Sequence, residues 1–135
     1  MSQAARWFSR VVWLGILANL ALAIPTLVAP ERTMRSAGLP LASPLLWPSF
    51  SALLLVLLSA FYVPAAIDPR RYRPVAWLAV GARLAGVIFF LLFQPAEYRM
   101  LGYFDLAFFV PQLVLLVMLA PASATTSSAV PGVAP

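Results

Sequence analysis

The sequence predicts an all-α, polytopic membrane protein, an antiparallel four-helix transmembrane bundle. Three observations predict it. Of 135 residues, 63% are apolar and 10% are charged, against roughly 45–50% and about 25% in a soluble domain. Mean hydropathy is +0.94. The apolar residues also gather into four runs, each near the roughly 20 residues a helix needs to cross a bilayer core. In lipid such runs are helical, because a helix alone satisfies its own backbone without closing a barrel.

The first span covers about 11–29 and is interrupted only by Asn19 near its centre. Arg6 and Arg10 precede it, and Ala21-Leu22-Ala23 resembles a secretory cleavage box. The apolar run outlasts a signal core and Pro25 follows the box, so the expectation is a retained helix. The second span covers about 45–67 and carries no charge. Before it, Pro40, Pro44 and Pro48 recur every fourth residue. Each disfavours helix at the residue ahead, so this stretch is expected to be an irregular apolar lid.

The third span covers about 75–94, with Arg83 as its one charge, and the fourth about 100–120, with Asp105. The segment Asp68-Pro69-Arg70-Arg71-Tyr72-Arg73-Pro74 between spans two and three is short enough to force a hairpin. In the third span Gly81/Ala85 and Ala82/Gly86 are small-xxx-small pairs, which let helix backbones approach. Pro64 and Pro111 are expected to kink their helices. The tail over 121–135 is rich in Ala, Ser, Thr and Pro and is expected to be disordered.

All nine basic residues are arginine. Five (Arg6, Arg10, Arg70, Arg71 and Arg73) fall on one side of the spans, and three (Arg32, Arg35 and Arg99) on the other. The excess places both termini in the cytoplasm of a cell's inner membrane. Arg70, Arg71 and Arg73 serve first as a topology anchor, and their cluster is also a candidate contact for anionic headgroups. Scattered arginines between greasy runs do not suit nucleic acid, so no nucleic-acid partner is expected.

Histidine and cysteine are both absent. That removes the commonest general base, the usual haem ligand and all thiolate chemistry. Haem and metal are not expected. Two ionisable residues remain inside the spans, and such residues are costly there and mark candidate sites. Arg83 lies about 13 Å along the helix from Pro74, and Asp105 about 7 Å from Met100. Gln112 follows Asp105 by seven residues and shares its helix face. Asn19, Arg83, Asp105 and Gln112 are therefore expected to converge as a polar seam, with Ser51, Ser59 and Tyr62 lining parts of the second helix.

The Ala29-Pro30-Glu31 ending of the first span, the Ala66-Ile67-Asp68-Pro69-Arg70-Arg71-Tyr72 turn and the third-span segment Ala82-Arg83-Leu84-Ala85-Gly86 resemble DoxX-like small bacterial membrane proteins. The resemblance spans the chain apart from its tail. It implies a four-helix bundle and, for a few members, association with quinone-linked sulfur redox enzymes. It carries no catalytic residue across.

Three functions fit these residues. The leading expectation is a non-catalytic accessory or scaffold subunit, held in the lipid bilayer with other membrane subunits or further copies of itself. The alternative is a quinone- or lipid-binding protein using Arg83, Asp105, Gln112 and Asn19. A small transporter or channel comes third. Geometry separates the first two: a cavity along the seam favours binding, and an Arg83–Asp105 contact in a filled core favours the scaffold.

Overall fold

The computed structural model describes residues 2–119; the expected disordered tail over 121–135 lies outside them. Every regular element among the described residues is helical. Helix α1 runs Gln3–Val28, α2 Pro30–Ser36, α3 Leu46–Ile67, α4 Arg73–Ile88 and α5 Arg99–Met118. A π-helical turn, Phe89–Phe93, extends α4, and a 3-10 turn, Ala96–Tyr98, leads into α5. Four of these helical segments are long and apolar enough to cross a membrane.

Helix α1 starts eight residues before the expected boundary at Val11. Its buried stripe Ala5, Phe8, Val12, Ile16, Asn19 and Ala23 keeps helical spacing straight through Ser9 and Arg10. The Ser2 side chain caps the start by accepting from the Ala5 N–H. Ser9 then donates to the Ala66 carbonyl of α3. The inner flank is thus part of the packed helix.

Helix α2 lies between the first two expected spans. Pro30 sits at its first turn, where a missing N–H costs nothing. Glu31 and Arg35 pair across one turn at 2.8 Å. Gly38, at φ 68°, ends it, with the Leu39 N–H closing back on the Met34 carbonyl at 2.9 Å. The proline-rich stretch is irregular only up to Leu45. Pro48 lies in the first turn of α3, where it is tolerated.

Helix α1 packs on α2, α3 and α5, while α4 packs on α3 and α5. The hydrophobic core joins the start of α1 (Phe8, Val12), the end of α3 (Tyr62, Ala65, Ala66), the start of α4 (Ala76, Ala79, Val80) and Leu116 near the end of α5. This layer lies toward the Asp68 turn. Ala65 and Ala66 of α3 and Ala76 and Ala79 of α4 share this layer, and their small side chains let the two helices approach there. Large apolar side chains such as Leu17, Phe61, Leu78 and Phe93 face outward. That inside-out surface suits lipid and would be an aggregation hazard in water.

The paired small residues of α4 behave unequally. A methyl at Gly86 would run into the Asp105 carboxylate, so this glycine makes room for α5. Gly81 has nothing within 4 Å of that position, and Ala85 is exposed. The Gly81/Ala85 pair lies on the exposed outer face and makes no packing contact of the expected kind among the described residues.

Candidate functional site

Each of the four long helices contributes one polar side chain to a network in the middle of the protein. Arg83 of α4 is 4% exposed, Asn19 of α1 and Ser59 of α3 are 1% exposed, and the Asp105 side chain of α5 is 16% exposed. Arg83 Nη1 donates to Asp105 Oδ1 at 2.6 Å. Its Nη2 donates to Asn19 Oδ1 at 2.9 Å and, at a longer 3.4 Å, to the Gly15 carbonyl. Asn19 Nδ2 passes a hydrogen bond to Ser59 Oγ at 3.1 Å, and Ser59 donates to the Leu55 carbonyl at 2.8 Å.

The bonds run in one direction. Arg83 has donors only, so Asn19 must present its carbonyl to Arg83 and its amide to Ser59. The network therefore fixes the orientation of every member. Arg83 Nε is buried without a hydrogen-bond partner. The Phe104 and Phe108 rings lie 5.5 and 5.1 Å from the guanidinium carbon, and their electron-rich faces stabilise the cation.

Local sequence explains the placement. Gly15 stands one turn before Asn19 on the same face of α1, and a methyl there would sit 3.1 Å from Arg83 Nη2. Gly86 stands one turn after Arg83 and admits the Asp105 carboxylate. A glycine thus adjoins each end of the ion pair. The π turn carries Phe90 against Gly102 of α5. Such turns recur at functional sites because they re-aim side chains.

On its α2 side this network borders a cavity of about 430 Å³, within the ~300–1,000 Å³ range of small-molecule sites. Asn19, Arg83 and Asp105 supply its polar end. Its walls are apolar in the main, from Leu22, Met34, Trp47, Leu55, Phe90 and Phe104. Helix α2 and the loop after it cover part of it through Thr33, Ala37 and Leu39. A larger groove beside Glu31, Arg32 and Arg35 is an open surface feature with no buried polar group.

Three of the four seam residues expected from sequence are brought together. Gln112 is buried on the same face of α5, and its amide lies near the space beside Gly15. It hydrogen-bonds to none of the others, and its Oε1 is buried without a partner. Ser51 lines the cavity instead, while Ser59 completes the network. Arg70, Arg71 and Arg73 lie at the Asp68 turn, away from the network. There Asp68 Oδ1 accepts from the Arg70 and Arg71 N–H groups, both at 3.1 Å, and Arg71 stacks on Tyr72.

Gly15, Phe108 and the α2 wall were not marked by sequence reasoning. The signal for Gly15 was its spacing from Asn19. Among the described residues no three of His, Cys, Asp and Glu come together. No family model, curated protein or solved structure matches the chain. Its class rests on its own helices: it is a multi-pass helical membrane protein.

Proposed function

We propose that this protein is a non-catalytic membrane protein that holds a small amphipathic molecule, quinone- or lipid-like, in the cavity above Arg83 and Asp105. The single observation that carries this reading is an apolar cavity ending on a hydrogen-bonded polar network. A ligand chain gains from the walls and a polar head from the end. The network holds a neutral ion pair and no free base or nucleophile, so it suits binding and not bond making.

The Arg83–Asp105 contact itself favours the scaffold reading, because a buried pair locks helix register. Both features are present, and the cavity separates them: a register lock alone does not require space beside it. In this reading the four helices form an antiparallel bundle. The shared layer of α1 and α4 starts with α3 and α5 ends supports that arrangement. Both termini then face the cytoplasm across an inner membrane, with Arg70, Arg71 and Arg73 at anionic headgroups. The DoxX-like resemblance is carried forward for architecture. Any redox role would draw its redox group from a quinone or from a partner subunit.

Native mass spectrometry of the protein released from mild detergent tests this. Wild type should retain a lipid-sized adduct, and Ser51→Trp, which sets a bulky ring at the exposed edge of the cavity outside the network, should retain less of it. Equal retention by wild type, Ser51→Trp and Arg83→Ala would sink the binding reading. Co-migrating subunits in several detergents would favour the scaffold.

A further inference from the structure

Helix α1 begins at Gln3, and its packed start brings Arg6 and Arg10 to the same end of the protein as the Asp68 turn. Ser9 donates to the Ala66 carbonyl, two residues before Asp68. Phe8 shares one core layer with Ala65, Ala66 and Ala76, the residues on either side of the turn. Two segments far apart in the chain thus present Arg6 and Arg10 alongside Arg70, Arg71 and Arg73. All of these but the half-buried Arg73 are exposed.

The acidic side chains lie mostly elsewhere. The chain has four. Glu31 pairs with Arg35, and Asp105 with Arg83. Glu97 stands beside Tyr98, which lines the cavity on its α2 side. Asp68 alone is at this end, where its Oδ1 accepts from the backbone N–H groups of Arg70 and Arg71. Among the described residues none of the five arginines forms an ion pair. Five arginines face one carboxylate here, against three facing two at the opposite end.

Two of the five are held by their faces. Arg10 lies 5.0 Å over the Trp7 ring, and Arg71 lies 5.5 Å over Tyr72. Stacking uses the flat face of a guanidinium and leaves its in-plane N–H donors available. That fork fits two oxygens of a phosphate. Trp7, Tyr72 and Trp77 are exposed at this end, and such rings settle at headgroup depth, the level of the bilayer phosphates.

We propose that the start of α1 and the Asp68 turn together form a docking surface for anionic phospholipid, with Arg6 and Arg10 sharing the phosphate contacts of Arg70, Arg71 and Arg73. This rests on the headgroup reading of the turn given above and enlarges it. It does not depend on the cavity. A phosphate here meets guanidinium groups from two elements. A zwitterionic lipid brings its own cation to the same place and gains less.

The full chain in mild detergent is mixed with equal amounts of phosphatidylglycerol and phosphatidylcholine of the same acyl chains, and retained lipid is read by native mass spectrometry. Wild type should prefer phosphatidylglycerol, less so as salt is raised. Arg6→Gln/Arg10→Gln should lower that preference by about fivefold or more, the share of one arginine at an anionic surface. Arg70→Gln/Arg71→Gln/Arg73→Gln should lower it at least as far, and Arg32→Gln/Arg99→Gln should leave it unchanged. A preference lost with the turn arginines but kept in Arg6→Gln/Arg10→Gln would overturn the two-part surface while leaving the turn a headgroup contact. A preference kept in both variants would remove the headgroup reading as well. Equal loss in Arg32→Gln/Arg99→Gln would refute the assignment to this end. Displacement of phosphatidylglycerol by inorganic phosphate, beyond that by chloride of equal ionic strength, would replace the lipid with a soluble anion.

Discussion

Arg83 on α4 and Asp105 on α5 meet at 2.6 Å, with a glycine one turn from the arginine clearing the space that the carboxylate fills. The pair lies in a part of the protein where single charges are expensive. Removing one partner strands the other, so Arg83→Met and Asp105→Leu should each cost about 3 kcal/mol. The double variant should recover most of that loss, because both charges leave together. Unfolding in mixed micelles, read as a double-mutant cycle, checks it; additive losses would show that the two side chains act independently.

The two glycines of α4 should respond in opposite ways. Gly86→Ala drives a methyl into the Asp105 carboxylate and should cost about 2 kcal/mol through overpacking. Gly81→Ala meets open space and should be neutral or stabilising by up to about 1 kcal/mol from helix propensity. Thermal melts of the two purified variants make the comparison. Equal losses would mean that the Gly81 face packs against something in the membrane.

Gln112 offers a test of what belongs to the site. Its Oε1 is buried without a donor, and such a group opposes folding until it is satisfied or removed. Gln112→Met, close in volume and apolar, should leave stability unchanged or raise it by about 1 kcal/mol, with ligand retention intact. A loss of retention at unchanged stability would make Gln112 a binding residue after all.

The turn at Asp68 is held by one carboxylate oxygen serving two backbone N–H groups. Asp68→Ala should cost about 1 kcal/mol, the usual loss of such a cap, and Asp68→Asn should retain most of it. Protease sensitivity near Arg70 and Arg71 follows the same change.

Asn19, Arg83 and Asp105 were legible in the sequence because a polar residue inside an apolar run is costly and needs a partner. Their links were less so. Ser59 resembles any hydroxyl able to bond its own helix, and only the rotation of α3 against α1 turns it toward Asn19. Gln112 shares the Asp105 face, but it brings its amide nitrogen to the space beside Gly15 that Arg83 Nη2 also borders, and two donors do not bond each other. Helix α2 carries its own start, ion pair and glycine stop in Pro30, Glu31, Arg35 and Gly38. A charged helix of seven residues is too short and too polar to stand out as an apolar run of membrane length. The cavity was not legible at all, since empty space depends on how the helices pack against one another and not on any one run of residues.

The alanine layer near Asp68 has a consequence for traffic. Ala65, Ala66, Ala76 and Ala79 are all within 1% of full burial and close the space between helices at that end. The hollow above Arg83 is therefore blind at the Asp68 end. In the binding reading such a shape would suit exchange with one leaflet and oppose passage between the two.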